Sequence, residues 1–425
     1  MEDKQPDVII VGGGIGGLST AYALSREGLQ VKVLEVAPEF GEVGAGLQLA
    51  PNCTRILDSY GLLDEAKRLG VVPDAMVMRD ATDASELTRL DLRDLEERYG
   101  YPYMVIHRSD LHGIFLRACQ EAGVELVNNQ RVVDYDNSTP GVGKAIFADG
   151  HVETAPVVIA ADGINSAARN KFVGDEPQSS SYVAYRGTVP ADHPRVQGVD
   201  LSEVVVYVGP RTHFVHYGLR GGEMLNQVYV FESDKALRGE DDWGTPDELD
   251  GMFADMAPFV KDGLPYMWRD KWWRMYDRCP IDNWIFDRVV LLGDSAHAPL
   301  QYIAQGAIMA IEDGWVLAQH VARNTAEDGS IDWDAALAAY SAVRTVHTKR
   351  VLETSRAWGQ LWHLDGLARR QRNELLRARD TRDYTMIDWL YSRTALTPEE
   401  EPEMFTKIPL DSVEAGSLAE PAGVS

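Results

Sequence analysis

Gly12, Gly14 and Gly17 stand at the first, third and sixth positions of a glycine-rich turn, with Ile15 inside it. This spacing lets a backbone turn tightly, approach a pyrophosphate and pack a helix closely on a strand. The helix that follows offers free N–H groups and the positive end of its dipole to the phosphates. Glu35 closes the next strand. A carboxylate there accepts hydrogen bonds from ribose hydroxyls and repels a 2′-phosphate, which excludes NADP from this site. Two further turns, Asp162-Gly163 and Gly293-Asp294, each follow an apolar run. One such glycine turn is weak evidence; three segments in this order predict a single bound dinucleotide. Cys53, Cys119 and Cys279 are far apart and form neither a metal spacing nor a disulfide framework, so they read as buried small hydrophobes and no metal is expected.

Particular elements must position these groups. Residues 7–11 and 30–35 read as strands flanking a helix that Gly28 ends, a Rossmann-type unit. Residues 156–161 and 288–292 are continuously apolar, the pattern of strands buried on both faces of a parallel sheet. Between about 183 and 280 the segments alternate, which predicts an antiparallel sheet with one face packed and one open to a cavity. There, alternation puts His213, Val215 and Tyr217 on one face and Phe214 and His216 on the other. Residues 307–322, 333–365 and 367–379 read as helices, and the Glu-, Pro-, Gly- and Ser-rich tail after 397 as loosely ordered. The expected class is α/β plus β. A discontinuous dinucleotide domain covers 1–75, 100–182 and 281–345, a substrate domain covers 76–99 and 183–280, and helices and tail fill 346–425.

The net charge of −25 argues against nucleic acid as a partner. No run approaches the roughly 18 apolar residues a membrane span needs. Residues 1–6 lack a positive-then-apolar signal pattern, and a reducing cytoplasm is expected. Arginines at 369, 370, 372, 377 and 379 form a basic island in this acidic chain. It reads as a solvated helix face, a face pairing with acidic residues of a second subunit, or a contact with anionic lipid headgroups. The aromatic-rich stretch 358–364 before it could line a dimer contact.

The three dinucleotide segments together resemble the FAD-dependent aromatic hydroxylases, over roughly residues 5 to 350. The resemblance implies FAD as bound cofactor and NADH and O2 as co-substrates. It gives Asp294 to the ribityl chain and Asp162 to the region where FAD and the nicotinamide meet. Arg108 falls to the FAD phosphates or ribityl chain, and Gln48 to a loop facing the flavin. The helix opened by Gln305, Gly306 and Ala307 would point its positive end at the flavin pyrimidine edge, where negative charge develops on reduction.

In such enzymes a flavin C4a-hydroperoxide attacks a phenol ring, faster when the phenol is deprotonated. A neutral histidine can take that proton near pH 7. His213 is the expected base, with Gln301 fixing the hydroxyl or the flavin edge. Tyr217 is the first candidate for the substrate carboxylate, and Val105 also borders the substrate. Within the family the pattern resembles the 3-hydroxybenzoate 6-hydroxylases, which give gentisate by para hydroxylation and are commonly dimeric. Salicylate 1-hydroxylases share most of it. A flavin dehydrogenase or oxidase, or a flavin-containing carrier, would use the same scaffold.

Overall fold

Val8–Val11 is an apolar run buried along its whole length, and strands pair with it on both edges. The computed structural model describes residues 5–41, 44 and 46–400. Val8–Val11 lies between Val157–Ala160 and Val31–Leu34, parallel to both. Val289–Leu291 extends the sheet parallel on one side and Glu125–Val127 on the other, and Ile285–Phe286 closes one edge antiparallel. The apolar runs therefore form one sheet, and each delivers its turn to the same edge.

Gly12 must be glycine: its φ is +113°, and a Cβ would lie 2.2 Å from the carbonyl oxygen of Ala161. A Cβ on Gly17 would come 1.9 Å from the Gly12 oxygen, so the helix Ile15–Arg26 sits as close to its strand as backbone allows. The long helix Gly306–Arg323 packs on the same helix, with Gly314 against Thr20.

A seven-stranded sheet runs in the order Trp273–Asp277, Gln178–Pro190, Met224–Glu232, Thr212–Leu219, Glu203–Gly209, Ala75–Asp80 and Glu86–Asp91. It is antiparallel except where Glu203–Gly209 pairs parallel with Ala75–Asp80. One face packs Phe214, Tyr229 and Phe231 against Leu249, Phe253 and Val260 of the short helices beyond. The opposite face carries His213, Val215 and Tyr217, as alternation requires.

Helices Trp333–Trp362 and Gly366–Arg377 follow, and the short helical turns Asp388–Tyr391 and Pro398–Glu400 end the described chain. Two expectations change here. Arg369 pairs with the buried Asp80 at the end of a strand of the large sheet, and Arg372 is itself buried, so this part of the basic island serves neither solvent nor an outside anion. Arg370 stays exposed. Trp362 of the aromatic stretch is buried against His213 and Tyr302 and so does not form an outer contact face. Cys279 is exposed, unlike Cys53 and Cys119. The tail beyond residue 400 lies outside the described residues. Among the described residues no helix is long and apolar enough to cross a membrane, and no cluster of three metal-ligating side chains exists.

Candidate active site

One cavity of about 2000 Å³ runs between the two sheets and under the C-terminal helices. A single small ligand fills roughly 300–1000 Å³, so this space suits a large cofactor together with a substrate. At one end Gly14, Ile15, Gly16 and Gly17 line it. Gly14 opens its helix with no side-chain cap, which leaves the first N–H groups to a ligand. A second uncapped helix start, at Gly306 and Ala307, opens on the same cavity and has no acidic residue in its first turn. Asp294 lies nearby, exposed to the cavity while its neighbours Gly293 and Ser295 are buried. Two positive helix ends, a lining of glycine backbone at Gly14, Gly16 and Gly17, and a carboxylate for hydroxyl groups fit a pyrophosphate-linked dinucleotide.

The predicted cofactor residues divide into those that face the cavity and those that shape it. Gln48 and Arg108 line it, and Gln48 accepts from the Tyr103 hydroxyl. Glu35 accepts from the backbone N–H groups of Gly13 at 2.6 Å and Ala37 at 2.8 Å, so one oxygen fastens the glycine turn and the other its own strand end. Asp162 does not reach the cavity. One of its oxygens accepts from the Tyr135 hydroxyl and the Ala167 N–H, each at 3.0 Å, and Gly163 is the residue that lines the space. Burial pushes the Asp162 carboxyl upward. Gln305 begins the helix as expected, but its side chain points inward: its Oε1 accepts from Asn52 at 3.0 Å and it is 1% exposed. Asn52 also donates to Glu312, part of a buried network in which Arg344 bridges Glu312 and Asp313.

The far end of the cavity rests on the large sheet. His213 pairs across to Val208 and Val230, and Val215 to Val206 and Val228. Val228 in turn pairs with Arg186, which puts the Arg186 side chain on the same face as His213 and Tyr217. Arg186 reaches the Gln301 Oε1 at 3.5 Å and lies over the Trp273 ring. No carboxylate pairs with it among the described residues. Burial lowers its basicity, Tyr217 beside it offsets part of this, and Arg108 adds repulsion. Burial pushes the Tyr217 hydroxyl up, with Arg186 opposing, so Tyr217 is a neutral hydrogen-bond donor.

His213 is 1% exposed, and its Nδ1 lies 2.8 Å from the Nε2 of His363. Burial first, and His363 second, hold it well below the usual histidine range, so it is neutral at pH 7. Tyr302 and Trp362 pack their rings around it at 5.5 and 5.1 Å.

Val105 is a correction. It is fully buried, its backbone pairs with Gln48 and Val71, and it does not line the cavity. A strand covered on both sides gives it no open face. Sequence reasoning missed Arg186, Tyr302, Trp362 and His363. The alternation of 183–189 could have flagged Arg186, the one charge in the strand Gln178–Pro190; nothing local marks His363.

A sequence profile described as the FAD binding domain matches residues 5–355. A 3-hydroxybenzoate 6-hydroxylase of Polaromonas naphthalenivorans (strain CJ2) is 39% identical over 92% of this chain and 97% of its own. A 3-hydroxybenzoate 6-hydroxylase 1 of Aquipseudomonas alcaligenes is 38% identical, over 91% and 98%. The crystal structure of Klebsiella pneumoniae HpxO complexed with FAD and uric acid superposes with a TM-score of 0.75 at 24% identity, covering 88% of this chain and 92% of that one, which shows a shared fold.

Proposed function

We propose that this chain, which belongs to the FAD-binding flavoprotein hydroxylases, converts 3-hydroxybenzoate to gentisate with NADH and O2. It is an FAD-dependent aromatic monooxygenase. Bound FAD, reduced by NADH, supplies the oxygen activated from O2. In this reading the smaller parallel sheet carries FAD through the turns at Gly12–Gly17, Asp294 and 306–307, with Arg108 and Gln48 beside it. The larger sheet carries the substrate.

The observation that carries the substrate reading is the shared face of His213 and Arg186. The substrate is a phenol at one end and a carboxylate at the other. Neutral His213 takes the phenolic proton at Nε2, the nitrogen left over from its contact with His363. Arg186, which has no acidic partner among the described residues, holds the carboxylate, and the Tyr217 hydroxyl donates beside it. Gln301, within reach of Arg186, fixes the ring between them. The Tyr302 and Trp362 rings exclude water from the base. Deprotonation at the hydroxyl raises electron density at the para carbon, where oxygen enters.

The homodimer and the cytoplasmic site are part of the same proposal, the first to be read by gel filtration with light scattering.

The test is NADH oxidation by the purified FAD protein with 2-, 3- and 4-hydroxybenzoate, with products identified by mass and chromatography. Gentisate from 3-hydroxybenzoate supports the reading. Catechol from 2-hydroxybenzoate would make the chain a salicylate 1-hydroxylase. Turnover with no oxygen in the product would make it a dehydrogenase or oxidase. FAD binding without stimulated turnover would leave a carrier.

A further inference from the structure

Which nitrogen of His213 carries its proton is decided by the group beside it. His363 follows the C-terminal end of helix Trp333–Trp362, far from His213 in sequence, yet its Nε2 lies 2.8 Å from the His213 Nδ1. The two rings stack at 5.1 Å and 23°. His363 stacks in turn on Tyr182 at 4.5 Å and 16°. Its backbone is held at both ends, by a bond from the Arg211 N–H to its carbonyl and by its own N–H on the Gly359 carbonyl.

The segment carrying it is fastened from outside. Arg372 donates to the Trp362 carbonyl at 2.6 Å and the Leu361 carbonyl at 3.2 Å. The same guanidinium binds the Asn373 Oδ1 at 2.7 Å, and the Asn373 Nδ2 donates to Asp80 at 2.6 Å. Asp80 belongs to the sheet that carries His213, where its strand partner Val208 faces His213. The basic island is thus a staple that ties the His363 segment to the floor of the site.

We propose that His363 is the positioning partner of the base, held in register by Arg372, Asn373 and Asp80. The inference rests on His213 being that base. A hydrogen bond between two neutral imidazoles needs one donor and one acceptor. With His363 Nε2 accepting, the His213 proton sits on Nδ1 and a lone pair remains on Nε2 toward the substrate. The reverse arrangement would present an N–H to the phenol, and no proton could be taken. When the substrate binds, its O–H bond breaks and an N–H bond forms at His213 Nε2, giving a phenolate and an imidazolium whose Nδ1–H His363 already holds. The proton goes no further: burial, and then the Arg372 charge beside it, hold His363 down at about 3, so it stays a neutral acceptor.

The test compares holoenzyme variants His363→Phe, which keeps the stacking on Tyr182 but removes the acceptor, and His363→Gln, which restores an acceptor oxygen. The probe is a ring-nitrated 3-hydroxybenzoate, whose phenolate is coloured. It is read one pH unit below its own pKa, where in water about nine-tenths is phenol. The wild-type enzyme is expected to bind it with excess phenolate absorbance. His363→Phe is expected to lose that excess and about tenfold in kcat, with KM within about twofold, and His363→Gln to recover most of both. Wild-type absorbance and kcat in His363→Phe would overturn the proposal, and so would a His363→Gln enzyme as impaired as His363→Phe. If His363→Phe does not fold, Asn373→Leu, which cuts the staple, is read in the same assay, and an unchanged phenolate band there overturns it equally. His213→Ala separates the two readings. If it leaves the phenolate band intact, the base assignment itself fails; if it abolishes a band that His363→Phe retains, only the role of His363 fails.

Discussion

Tyr302 lies against Gly359: a Cβ at position 359 would come 2.4 Å from the Tyr302 Cε2. The absence of one methyl group on helix Trp333–Trp362 therefore lets the Tyr302 ring close over His213. Gly359→Ala should improve helix propensity by about 1 kcal/mol. The forced displacement of the ring should cost about 1–3 kcal/mol. The expected net result is a slightly lower Tm and more hydrogen peroxide per NADH consumed, because water reaches the base. A variant at least as stable and as tightly coupled as wild type would show that the ring has room to spare.

His213→Ala should bind FAD normally and lose about 10²–10⁴-fold in kcat, the range for a general base. Flavin content and stopped-flow reduction by NADH check that only the later chemistry suffers. Loss of flavin, or a kcat within a fewfold of wild type, would count against the assignment.

Arg186→Gln removes a charge-assisted bond to the substrate carboxylate, about 1.5–3 kcal/mol, or about 10- to 100-fold in KM. The effect should vanish for 3-hydroxybenzamide, which has no carboxylate. Equal losses with acid and amide would mean that Arg186 supports the sheet face and does not read the substrate.

Gly17→Ala introduces a Cβ 1.9 Å from the Gly12 oxygen, a backbone atom that cannot yield without moving the strand. The purified protein should carry little flavin and unfold at lower temperature. Full flavin occupancy would falsify the close-packing role of this turn.

Glu312 and Asp313 are buried, which alone would raise their carboxyls. Arg344 for Glu312, and His297 with Arg344 for Asp313, outweigh this and hold both at about 2. Their folded values lie below the free values of 4.5 and 3.8, so the stability they contribute is complete above about pH 5 and is lost as pH falls toward about 2. The urea midpoint should decline steeply across that window. In Arg344→Met the carboxyls lose their partner, and the protein should be weaker by about 3–5 kcal/mol at neutral pH. A midpoint independent of pH down to about 2.5 in the wild type would contradict the network.

The cofactor end of the site was legible because its determinants are local. The spacing of Gly12, Gly14 and Gly17 and the apolar runs before Asp162 and Gly293 encode strand, turn and helix start within a few residues. Alternation likewise placed His213 and Tyr217 on one face. What it could not supply was cross-strand register, which joins Arg186 to Val215 through Val228, or contacts between distant segments, such as His213 with His363. Side-chain direction also escaped it. Gln305 opens the expected helix but turns toward Asn52, and Val105 lies in a strand covered on both sides. The arginines near 370 were visible as charge, but the partner of Arg369, Asp80, lies 289 residues away.

That distance has a bearing on modularity. The family profile stops at residue 355, before His363 and its staple. A chimera joined at that boundary would inherit a complete flavin cradle but borrow the base's partner from the other parent. Exchange of substrate preference between relatives therefore calls for a crossover beyond Asn373, with Asp80 and His213 taken from the same parent as the helix that fastens them.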